Sequence, residues 1–383
     1  MLVTLAKTDD SAVLDMSISV SGAVDEAWMQ RCRELASQAE GQTSPNPLVG
    51  SVIVHQGQVV GEGFHPGAGQ PHAEVFALRA AGARARGATL YVNLEPCNHT
   101  GRTPPCTEAI LTAGISRVVV GMIDPDPRTA GGGVKRLRQA GIAVTVGVDE
   151  AACQQLNEAF SHSILHQRPF GILKYAMTLD GKIAATGGHS AWVTGPDARA
   201  WVHRLRGACD AVIVGGETVR RDNPRLTTHG QCDRNPVRVI MSRQLNLPTQ
   251  ANLWDVSQAK TIVFCGPDPV VDIAEKLQQQ GVEVVSLPAL EPLAVLEVLQ
   301  ARGMRSVLWE CGGQLAARAI AQACVQKVHA FIAPKLVGGV IAPTPVGELG
   351  ITQMTAAIDL TDITMQQVTP DVLISGYIPT SSR

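Results

Sequence analysis

Residues 90–106, LYVNLEPCNHTGRTPPC, run from an apolar, β-branched and aromatic segment into two cysteines that enclose eight residues. The apolar part is typical of a strand, and Cys97 lies at its end beside Pro96. Cys106 follows a pair of prolines and opens PCTEAILTAGI, which predicts a helix with proline at its start. A disulfide, two buried structural thiols and a metal site are all compatible with this stretch.

The segments around this stretch alternate between helical and strand patterns. In chain order they predict a helix over residues 25–40, two strands within residues 48–64 joined at Gln56-Gly57, a helix after Pro71, and strands over residues 89–95 and 117–124. This alternation of helices and strands argues for a three-layer α/β domain.

The pattern restarts near Pro169. FGILKYAMT, CDAVIVGG, VRVIM, TIVFC, EVVSL and SVLWEC predict strands, and GPDARAWVHRLRG predicts a helix. The second half is therefore expected to be another α/β domain. We predict a loose leader over residues 1–24, a first domain over 25–168 and a second over 169–383.

Composition narrows the classes of function. The chain has 383 residues, 45% of them hydrophobic, which is enough for two buried cores. Its formal charge of -2, without a long run of one sign, gives no support for a nucleic-acid or membrane surface and favours small-molecule partners. No apolar run reaches the roughly 18 residues of a membrane helix, and residues 1–24 lack the features of a signal peptide. We expect a cytoplasmic protein; its oligomeric state, a homo-oligomer included, stays open.

The cysteines point away from a disulfide framework. There are nine, an odd number, and most stand alone inside apolar segments. This usage is typical of reduced core thiols. The disulfide interpretation of residues 90–106 is correspondingly weakened.

A second short motif, PHAEV, places His72 and Glu74 in the first turn of a predicted helix. Alone, the pair could be a helix start with an acidic residue matched to the helix dipole. Together with Cys97 and Cys106 it supplies one imidazole and two thiolates, and three protein ligands leave the fourth position of zinc for water. Glu74, which is not a ligand, could then pass a proton to a departing amine, as in the zinc-dependent nucleobase deaminases.

The loop between the cysteines departs from the commonest form of that signature. Deaminases of nucleosides and nucleic acids usually have two residues there, whereas this chain has eight, NHTGRTPP. The loop offers His99 and Arg102, which would suit an anionic substrate group. A solvated surface arginine is the alternative for Arg102.

The chain resembles one family throughout, the bifunctional riboflavin-biosynthesis deaminase/reductases. SPNPLVG, GEGFHPGAGQPHAE, LEPCNHTGRTPPC and DPDPRTAGGGVKRLRQAGI are similar to its deaminase half, in that order. KYAMTLDGKIA, SAWVTGPDAR, LRGACDAVIVGGETVRRDNPRLT and APKLVGG are similar to its reductase half. The resemblance runs from about residue 25 to the C-terminus, and the long cysteine loop is specific to this branch.

The resemblance implies a cytidine-deaminase-like domain followed by a dihydrofolate-reductase-like α/β domain. It implies hydrolytic deamination of 2,5-diamino-6-(5-phosphoribosylamino)pyrimidin-4(3H)-one, a phosphorylated pyrimidine, with Zn2+ as the metal. On this reading Asn46 and His65 hold the base, while His99, Arg102 and Asp124 contact the rest of the substrate. From the residues alone, Asn46 could be a turn residue and His65 a surface histidine.

The second half is implied to reduce the ribosyl chain of the uracil product to ribityl with NADPH. No GxGxxG motif follows a predicted strand, so a Rossmann unit is not expected. Gly312-Gly313 between a strand and a helix could admit a phosphate, although from the residues alone close packing is the favoured explanation. The positions implied near the cofactor are Ala176, Trp192, Thr218, Asp222, Gly312 and Gly313. Those implied near the substrate are Ser190, Arg206, Leu226, His229 and Glu310, with Lys174 beside the reacting ribose, and Lys174, Asp222 and Glu74 are the implied catalytic residues.

Arg206 could also be a helix-surface arginine, and Trp192 a core or interface aromatic. The family commonly has arginine at the position of His229 and aspartate at or next to Ser242. Because an imidazole titrates near neutrality, His229 predicts a substrate affinity in the reductase half that weakens as pH rises from about 6 to 8.

Three rival hypotheses remain. One is a deaminase whose second domain is inactive, against which the presence of Lys174, Asp222 and Glu310 argues. Another is a nucleic-acid deaminase, which the near-neutral charge and the long cysteine loop disfavour. The last is a non-enzymatic binding protein in which zinc only staples the fold.

Overall fold

The computed structural model describes residues 10–99 and 104–379. The chain divides into two compact units, Met1–Ser161 and His162–Arg383. Each unit contains its own sheet with helices packed on it. The domain boundary after residue 168 stays a proposal from the sequence.

The first unit is built on a five-stranded sheet with the strand order β2-β1-β3-β4-β5. Strand β1 pairs antiparallel with β2 and β3, whereas β3, β4 and β5 run parallel. Its strands are β1 (Gly50–His55), β2 (Gln58–Phe64), β3 (Thr89–Leu94), β4 (Arg117–Met122) and β5 (Ala143–Val146). Its helices are α1 (Asp10–Ser37), α2 (Ala73–Ala81), α3 (Cys106–Ala113), α4 (Gly132–Gln139) and α5 (Glu150–Leu156), with a 3₁₀ turn at Gly82–Ala85; α6 (Glu158–His166) follows across the division between the units.

Glycines bring helices against both faces of this sheet. A Cβ at Gly50 would lie 2.0 Å from the Cys32 carbonyl oxygen of α1. Gly63 pairs with Ser51, the neighbour of Gly50, so Gly63 faces the other side of the sheet. A Cβ there would lie 2.4 Å from Cβ of Phe76 on α2. The first unit therefore has three layers, with α1 and α2 on opposite faces.

The second unit is built on a nine-stranded sheet with the order β10-β9-β8-β7-β11-β6-β12-β14-β13. Its strands are β6 (Phe170–Thr178), β7 (Ala211–Gly215), β8 (Val237–Met241), β9 (Thr261–Cys265), β10 (Glu283–Ser286), β11 (Ser306–Trp309), β12 (Lys327–Ala333), β13 (Thr361–Val368) and β14 (Asp371–Tyr377). Its helices are α7 (Pro196–Ala208), α8 (Gly216–Asp222), α9 (Val271–Gln279), α10 (Pro292–Ala301) and α11 (Gly313–Ala321), with short 3₁₀ turns at Asn252–Trp254 and Met354–Ala356.

Seven of these strands, from β10 to β12 in the sheet order, run parallel. Strands β14 and β13 add an antiparallel edge. The central parallel strands β7, β9 and β11 are nearly continuous apolar runs buried on both faces, with Ile213, Phe264 and Trp309 fully buried. Because parallel strands share the direction of their carboxyl ends, the loops that follow β6, β7, β8 and β11 gather at one edge of the sheet.

The α/β class predicted for both halves is confirmed, and VRVIM and TIVFC match β8 and β9 residue for residue. One prediction is wrong in extent. The first helix begins at Asp10 and not at the predicted residue 25, because residues 10–24 contain no proline and only one glycine, Gly22, to stop a helix. Residues 1–9 of the predicted leader lie outside the described residues. Within the described ranges, no helix is long and apolar enough to cross a membrane.

Candidate active sites

His72, Cys97 and Cys106 converge in the first unit from three different elements. His72 precedes α2 in an extended conformation, Cys97 follows β3, and Cys106 is the first residue of α3. The His72 Nδ1 atom lies 3.2 Å from Sγ of Cys106 and 3.5 Å from Sγ of Cys97. Their potential ligand atoms all lie within 4.8 Å of one another.

These distances fit a zinc ion. With Zn–S about 2.3 Å and Zn–N about 2.0 Å, the nitrogen–sulfur edge of a tetrahedron is about 3.5 Å long. Among the described residues, the metal-binding cluster consists of these three side chains. One imidazole and two thiolates leave one tetrahedral position open, which is typical of a catalytic and not a structural site.

One of the two cysteines, Cys97, has the low pKa of a metal-ligand thiolate, whereas Cys106 keeps its proton. The hydrogen bond from Cys106 lowers the pKa of Cys97 to about 4, and the His72 imidazole acts in the same direction. The Cys106 backbone N–H, at the start of α3, also donates to the Cys97 sulfur at 3.3 Å. Sharing one proton raises the pKa of Cys106 instead. A zinc ion would displace that remaining proton.

Glu74 lies beside this cluster with its side chain buried. It is 3% exposed, and its Oε2 has no hydrogen-bond partner among the described residues. Burial, together with the Cys97 sulfur, raises the pKa of Glu74 to about 7. A buried carboxyl with an unsatisfied oxygen and a pKa near neutrality is suited to accept and return a proton.

Asn46 and His65 contact each other next to the metal cluster. His65 donates from Nδ1 to the Pro71 carbonyl oxygen at 3.0 Å, so its Nε2 accepts a hydrogen bond from Asn46 Nδ2 at 3.0 Å. Burial lowers the pKa of His65, which favours this neutral form. The His65 ring also meets the His72 ring edge to face, with centroids 5.5 Å apart. His65 is 3% exposed, so the surface-loop alternative is wrong for this residue. Asn46 does lie in a turn, with its backbone N–H donating to the Thr43 carbonyl oxygen at 2.8 Å, and from that turn its side chain reaches His65.

Glu95 is a site residue that sequence reasoning missed. Its buried carboxylate accepts hydrogen bonds from the backbone N–H groups of Asp124 at 3.2 Å, Gly131 at 2.8 Å and Val134 at 2.9 Å. These hydrogen bonds attach the loop that contains Asp124 to the end of β3, which Cys97 follows. The available signal was an acidic residue at the end of an otherwise apolar strand.

Asp124 is half-buried and accepts hydrogen bonds from Thr129 Oγ1 and the Asp126 backbone N–H, both at 2.9 Å. Burial raises the pKa of Asp124. His99 is exposed, and Arg102 lies outside the described residues.

In the second unit, Lys174, Arg206 and Glu310 form one buried ion cluster at the carboxyl edge of the sheet. Arg206 donates to both Glu310 oxygens, at 2.5 and 3.0 Å, and the Lys174 Nζ atom lies 3.6 Å from Glu310 Oε2. The register of β6 with β11 places Glu310 beside Lys174. Arg206 is thus not the helix-surface arginine that was its alternative reading.

The charged groups of this cluster stabilise one another in their ionised forms. Burial opposes ionisation of Glu310, but Arg206 and Lys174 outweigh it and lower the pKa of Glu310 to about 2. Burial lowers the pKa of Lys174, and Glu310 counteracts this. Two cations therefore surround one carboxylate, which leaves positive charge for an anionic substrate.

The segment 223–230 lies against Arg206 in an unusual backbone conformation. Arg206 Nη1 donates to the Thr227 carbonyl oxygen at 2.9 Å. Asn223, Leu226 and His229 all have positive φ, at 40°, 55° and 50°. Such residues persist only where the surrounding structure holds them, as at binding sites.

The residues predicted to bind the cofactor lie at the same carboxyl edge of the nine-stranded sheet as the ion cluster. Ser190 Oγ donates to Asp222 Oδ1 at 2.9 Å, which brings a predicted substrate residue to a predicted cofactor residue. Trp192 is 70% exposed, with the Arg199 guanidinium 4.4 Å from its ring centroid, so it is not a core aromatic. Thr218 lies on α8 and Ala176 on β6, and both are partly exposed.

The two glycines at the start of α11, the N-cap Gly312 and the first helical residue Gly313, have different surroundings. A Cβ on Gly313 would lie 2.6 Å from the Thr344 carbonyl oxygen, and Gly313 accepts a hydrogen bond from Gly347 N at 2.9 Å. Packing therefore explains Gly313. A Cβ on Gly312 would meet nothing within 4 Å, so packing does not explain Gly312.

Comparisons with known proteins cover both units. Residues 23–122 match the family described as the cytidine and deoxycytidylate deaminase zinc-binding region, and residues 169–374 match the RibD C-terminal domain. Riboflavin biosynthesis protein RibD of Synechocystis sp. is 62% identical over 354 residues, which cover 92% of this chain and 96% of that protein.

Two solved structures are similar over the same length. RibD of Acinetobacter baumannii, form 1, is 37% identical with a TM-score of 0.84, covering 94% of this chain and 100% of that one. The diaminohydroxyphosphoribosylaminopyrimidine deaminase/5-amino-6-(5-phosphoribosylamino)uracil reductase of Thermotoga maritima is 35% identical with a TM-score of 0.83 and the same coverage. The cytidine-deaminase-like first domain and the reductase-type second domain predicted from the sequence are confirmed.

Proposed function

The chain belongs to the RibD family of riboflavin-biosynthesis deaminase/reductases, and we propose that its two units catalyse two consecutive steps on one phosphorylated pyrimidine. The first unit deaminates 2,5-diamino-6-(5-phosphoribosylamino)pyrimidin-4(3H)-one. The second reduces the ribosyl chain of the uracil product to ribityl. The observation that carries the proposal is the cluster of His72, Cys97 and Cys106 with the buried Glu74 beside it.

In the first unit, His72, Cys97 and Cys106 hold zinc. When bound, zinc supplies Lewis acidity that makes water nucleophilic near neutral pH. Glu74 accepts the proton of the attacking water and returns it to the amino group that leaves C2 as ammonia. Its pKa of about 7 suits both halves of this transfer, because the optimum for such a group lies near the working pH.

Asn46 and His65 hold the pyrimidine. Because His65 Nε2 accepts from the Asn46 amide, the Asn46 Oδ1 atom is directed by that contact and can accept from a ring N–H. Asp124, fixed through Glu95, together with His99 and Arg102, binds the ribosylamine phosphate. The long cysteine loop thereby adapts a nucleobase deaminase site to a phosphorylated substrate.

In the second unit, NADPH would supply, when bound, the hydride that reduces C1′ of the ring-opened sugar. Lys174, held by Glu310, is placed to donate a proton to the ring oxygen when the C1′–O4′ bond breaks, which opens the sugar before the hydride adds to C1′. Arg206, Ser190, Leu226 and His229 bind the substrate. The residues that border the cofactor are Gly312, Trp192, Thr218, Ala176 and Asp222. Gly313 allows the start of α11 to pack closely against the Thr344 carbonyl oxygen.

Glu74→Gln tests the deaminase assignment. Glutamine keeps the shape of the side chain but cannot move the proton, so ammonia release is expected to fall by about 10²- to 10⁴-fold. Zinc content measured by atomic absorption is expected to stay at one ion per chain. A zinc staple without catalysis predicts the same ammonia release in both proteins and would contradict the proposal.

The reductase half provides the internal control. Wild type and Glu74→Gln, given 5-amino-6-(5-phosphoribosylamino)uracil and NADPH, are expected to oxidise NADPH at equal rates. Unequal rates would show that the substitution disturbs more than the first unit.

We propose further that the enzyme is a cytoplasmic homo-oligomer with no nucleic-acid or membrane partner. Strand β13 forms the end of the nine-stranded sheet, and its Ile363 and Met365 are 59% and 72% exposed. An edge strand with exposed apolar side chains favours pairing with a second copy. Light scattering in solution measures the mass of the protein particle and so distinguishes a homo-oligomer from a monomer.

A further inference from the structure

Two histidines of the second unit stack face to face beside the ion cluster. The rings of His203 and His229 have centroids 4.2 Å apart and planes tilted by 20°. His203 comes from α7, one turn before Arg206, and His229 comes from the segment with positive φ that Arg206 contacts. Two separate elements therefore present the two rings together.

The surroundings of the pair are strongly cationic. His203 is influenced by Arg206, His229 and Lys174 as positive groups and by Glu310 as the negative group. His229 is influenced by Arg206 and Arg225. The two positive charges of Arg206 and Lys174 exceed the single negative charge of Glu310, so the electrostatic potential at the two rings is positive. This potential favours binding of an anion, and it disfavours protonation of the rings as long as no anion is bound.

We infer that the stacked pair is a proton-coupled phosphate-binding element of the reductase site, in which His229 carries the proton and His203 is the positioning residue that supports it. This inference rests on the proposed function, since the anion is the phosphate of the reductase substrate. The exposed ring of His229 meets the phosphate, and the more buried, neutral ring of His203 lies flat against it. A flat, neutral π-system next to an imidazolium ion stabilises its charge.

The two rings differ in how readily they take up a proton. Burial, with Arg206 and His229 adding to it, lowers the pKa of His203 to about 4. Burial and the cations Arg206 and Arg225 lower the pKa of His229 as well, but without as large a shift. A dianionic phosphate opposes those cations, so binding raises the pKa of His229 and takes up one proton.

The sign of the pH effect follows from this linkage. The contribution of His229 to affinity is fully present below its pKa in the free protein and is lost as pH rises through its pKa in the complex. Between the two values the Michaelis constant rises up to about tenfold per pH unit. The pKa of His229 in the free protein lies below the ordinary value for histidine. The Michaelis constant therefore begins to rise at a lower pH than it would for an imidazole with the ordinary pKa.

The test compares full-length wild type with His229→Arg in the reductase assay, from about pH 5.5 to about pH 8.5. The Michaelis constant for the uracil substrate is expected to rise with pH in wild type and to stay flat in His229→Arg. Both proteins see the same ionisation of the substrate phosphate, which therefore cancels in the comparison. Competitive inhibition by inorganic phosphate, measured in parallel, is expected to show the same contrast.

His203 is tested by two substitutions. His203→Phe keeps a flat ring against His229 and is expected to keep the pH dependence of wild type. His203→Gln removes the ring and is expected to raise the Michaelis constant about 3- to 10-fold at about pH 6, with kcat unchanged. Calorimetry of phosphate binding in two buffers of different ionisation enthalpy is carried out on wild type and His229→Arg, so that the difference between the two proteins gives the proton that His229 takes up. A merely structural role of His203 would leave the same difference in His203→Gln.

Two outcomes overturn the inference. One is a wild-type Michaelis constant that rises with pH no more than that of His229→Arg; the other is the same proton uptake on phosphate binding in wild type and His229→Arg. Either can occur while wild type still reduces the substrate, so the proposed function then stands. A wild type that does not oxidise NADPH with the uracil substrate at any pH would contradict the proposed function itself.

Discussion

Replacing Glu310 by glutamine removes the negative charge that Lys174 and Arg206 share in the second unit. At 3.6 Å, the Lys174–Glu310 pair attracts by about 4 to 5 kcal/mol at an effective dielectric constant of about 20. Glutamine preserves the size of the side chain but leaves two buried cations without their partner. Loss of one partner of a buried ion pair costs about 3 to 5 kcal/mol of unfolding free energy.

Two measurements follow from Glu310→Gln. The kcat/KM of the reductase is expected to fall by about 30- to 5000-fold, which corresponds to about 2 to 5 kcal/mol. The melting temperature of the second unit is expected to fall by about 6 to 20 °C. The pKa of Lys174, already lowered by burial, falls further without Glu310, so the residual reductase activity is lost at a lower pH than in wild type.

The matched control is Glu297→Gln, the same chemical change at an exposed position of α10. It is expected to leave the reductase and the melting temperature unchanged, and ammonia release is expected to be normal in both variants. A Glu310→Gln protein with wild-type reductase kcat/KM and melting temperature would refute the role given to this cluster.

Further predictions concern the two glycines and the metal. Gly313→Ala places a Cβ 2.6 Å from the Thr344 carbonyl oxygen and is expected to cost about 1 to 3 kcal/mol, seen as a lower melting temperature. Gly312→Ala meets no atom within 4 Å, so it is expected to leave the melting temperature unchanged while raising the Michaelis constant for NADPH; equal effects of the two substitutions on melting would contradict this division of roles. Dialysis against a chelator is expected to abolish ammonia release, to leave NADPH oxidation with the uracil substrate intact and to be reversed by added zinc. Ammonia release that survives a verified loss of zinc would exclude the metal assignment.

The zinc site could be predicted because its residues lie in two short motifs on elements with clear patterns. HAEV opens a helix, and EPC ends a strand, so both motifs carry their own structural context. Cys106 is the first residue of the next helix, α3, and this position returns its thiol to the end of β3, where Cys97 lies. The structure places all three ligand atoms together without any change to that prediction.

Other features depend on contacts that no local pattern records. Glu95 holds three N–H groups from a loop about 30 to 40 residues later in the chain. His203 gains its neighbour only when the segment 223–230 folds onto Arg206. The exposure of Trp192 and the close approach at Gly313 are likewise set by packing and not by propensity.

The most direct test of two linked activities in one chain is the full reaction followed through both of its signals. Zinc-loaded protein is mixed with 2,5-diamino-6-(5-phosphoribosylamino)pyrimidin-4(3H)-one, with and without NADPH, and ammonia and nicotinamide absorbance are recorded separately. Ammonia is expected in both mixtures, and NADPH oxidation is expected to begin after ammonia release and to reach the same final amount. Ammonia without any NADPH oxidation would show an inactive second unit, and no ammonia at all would contradict the deaminase assignment.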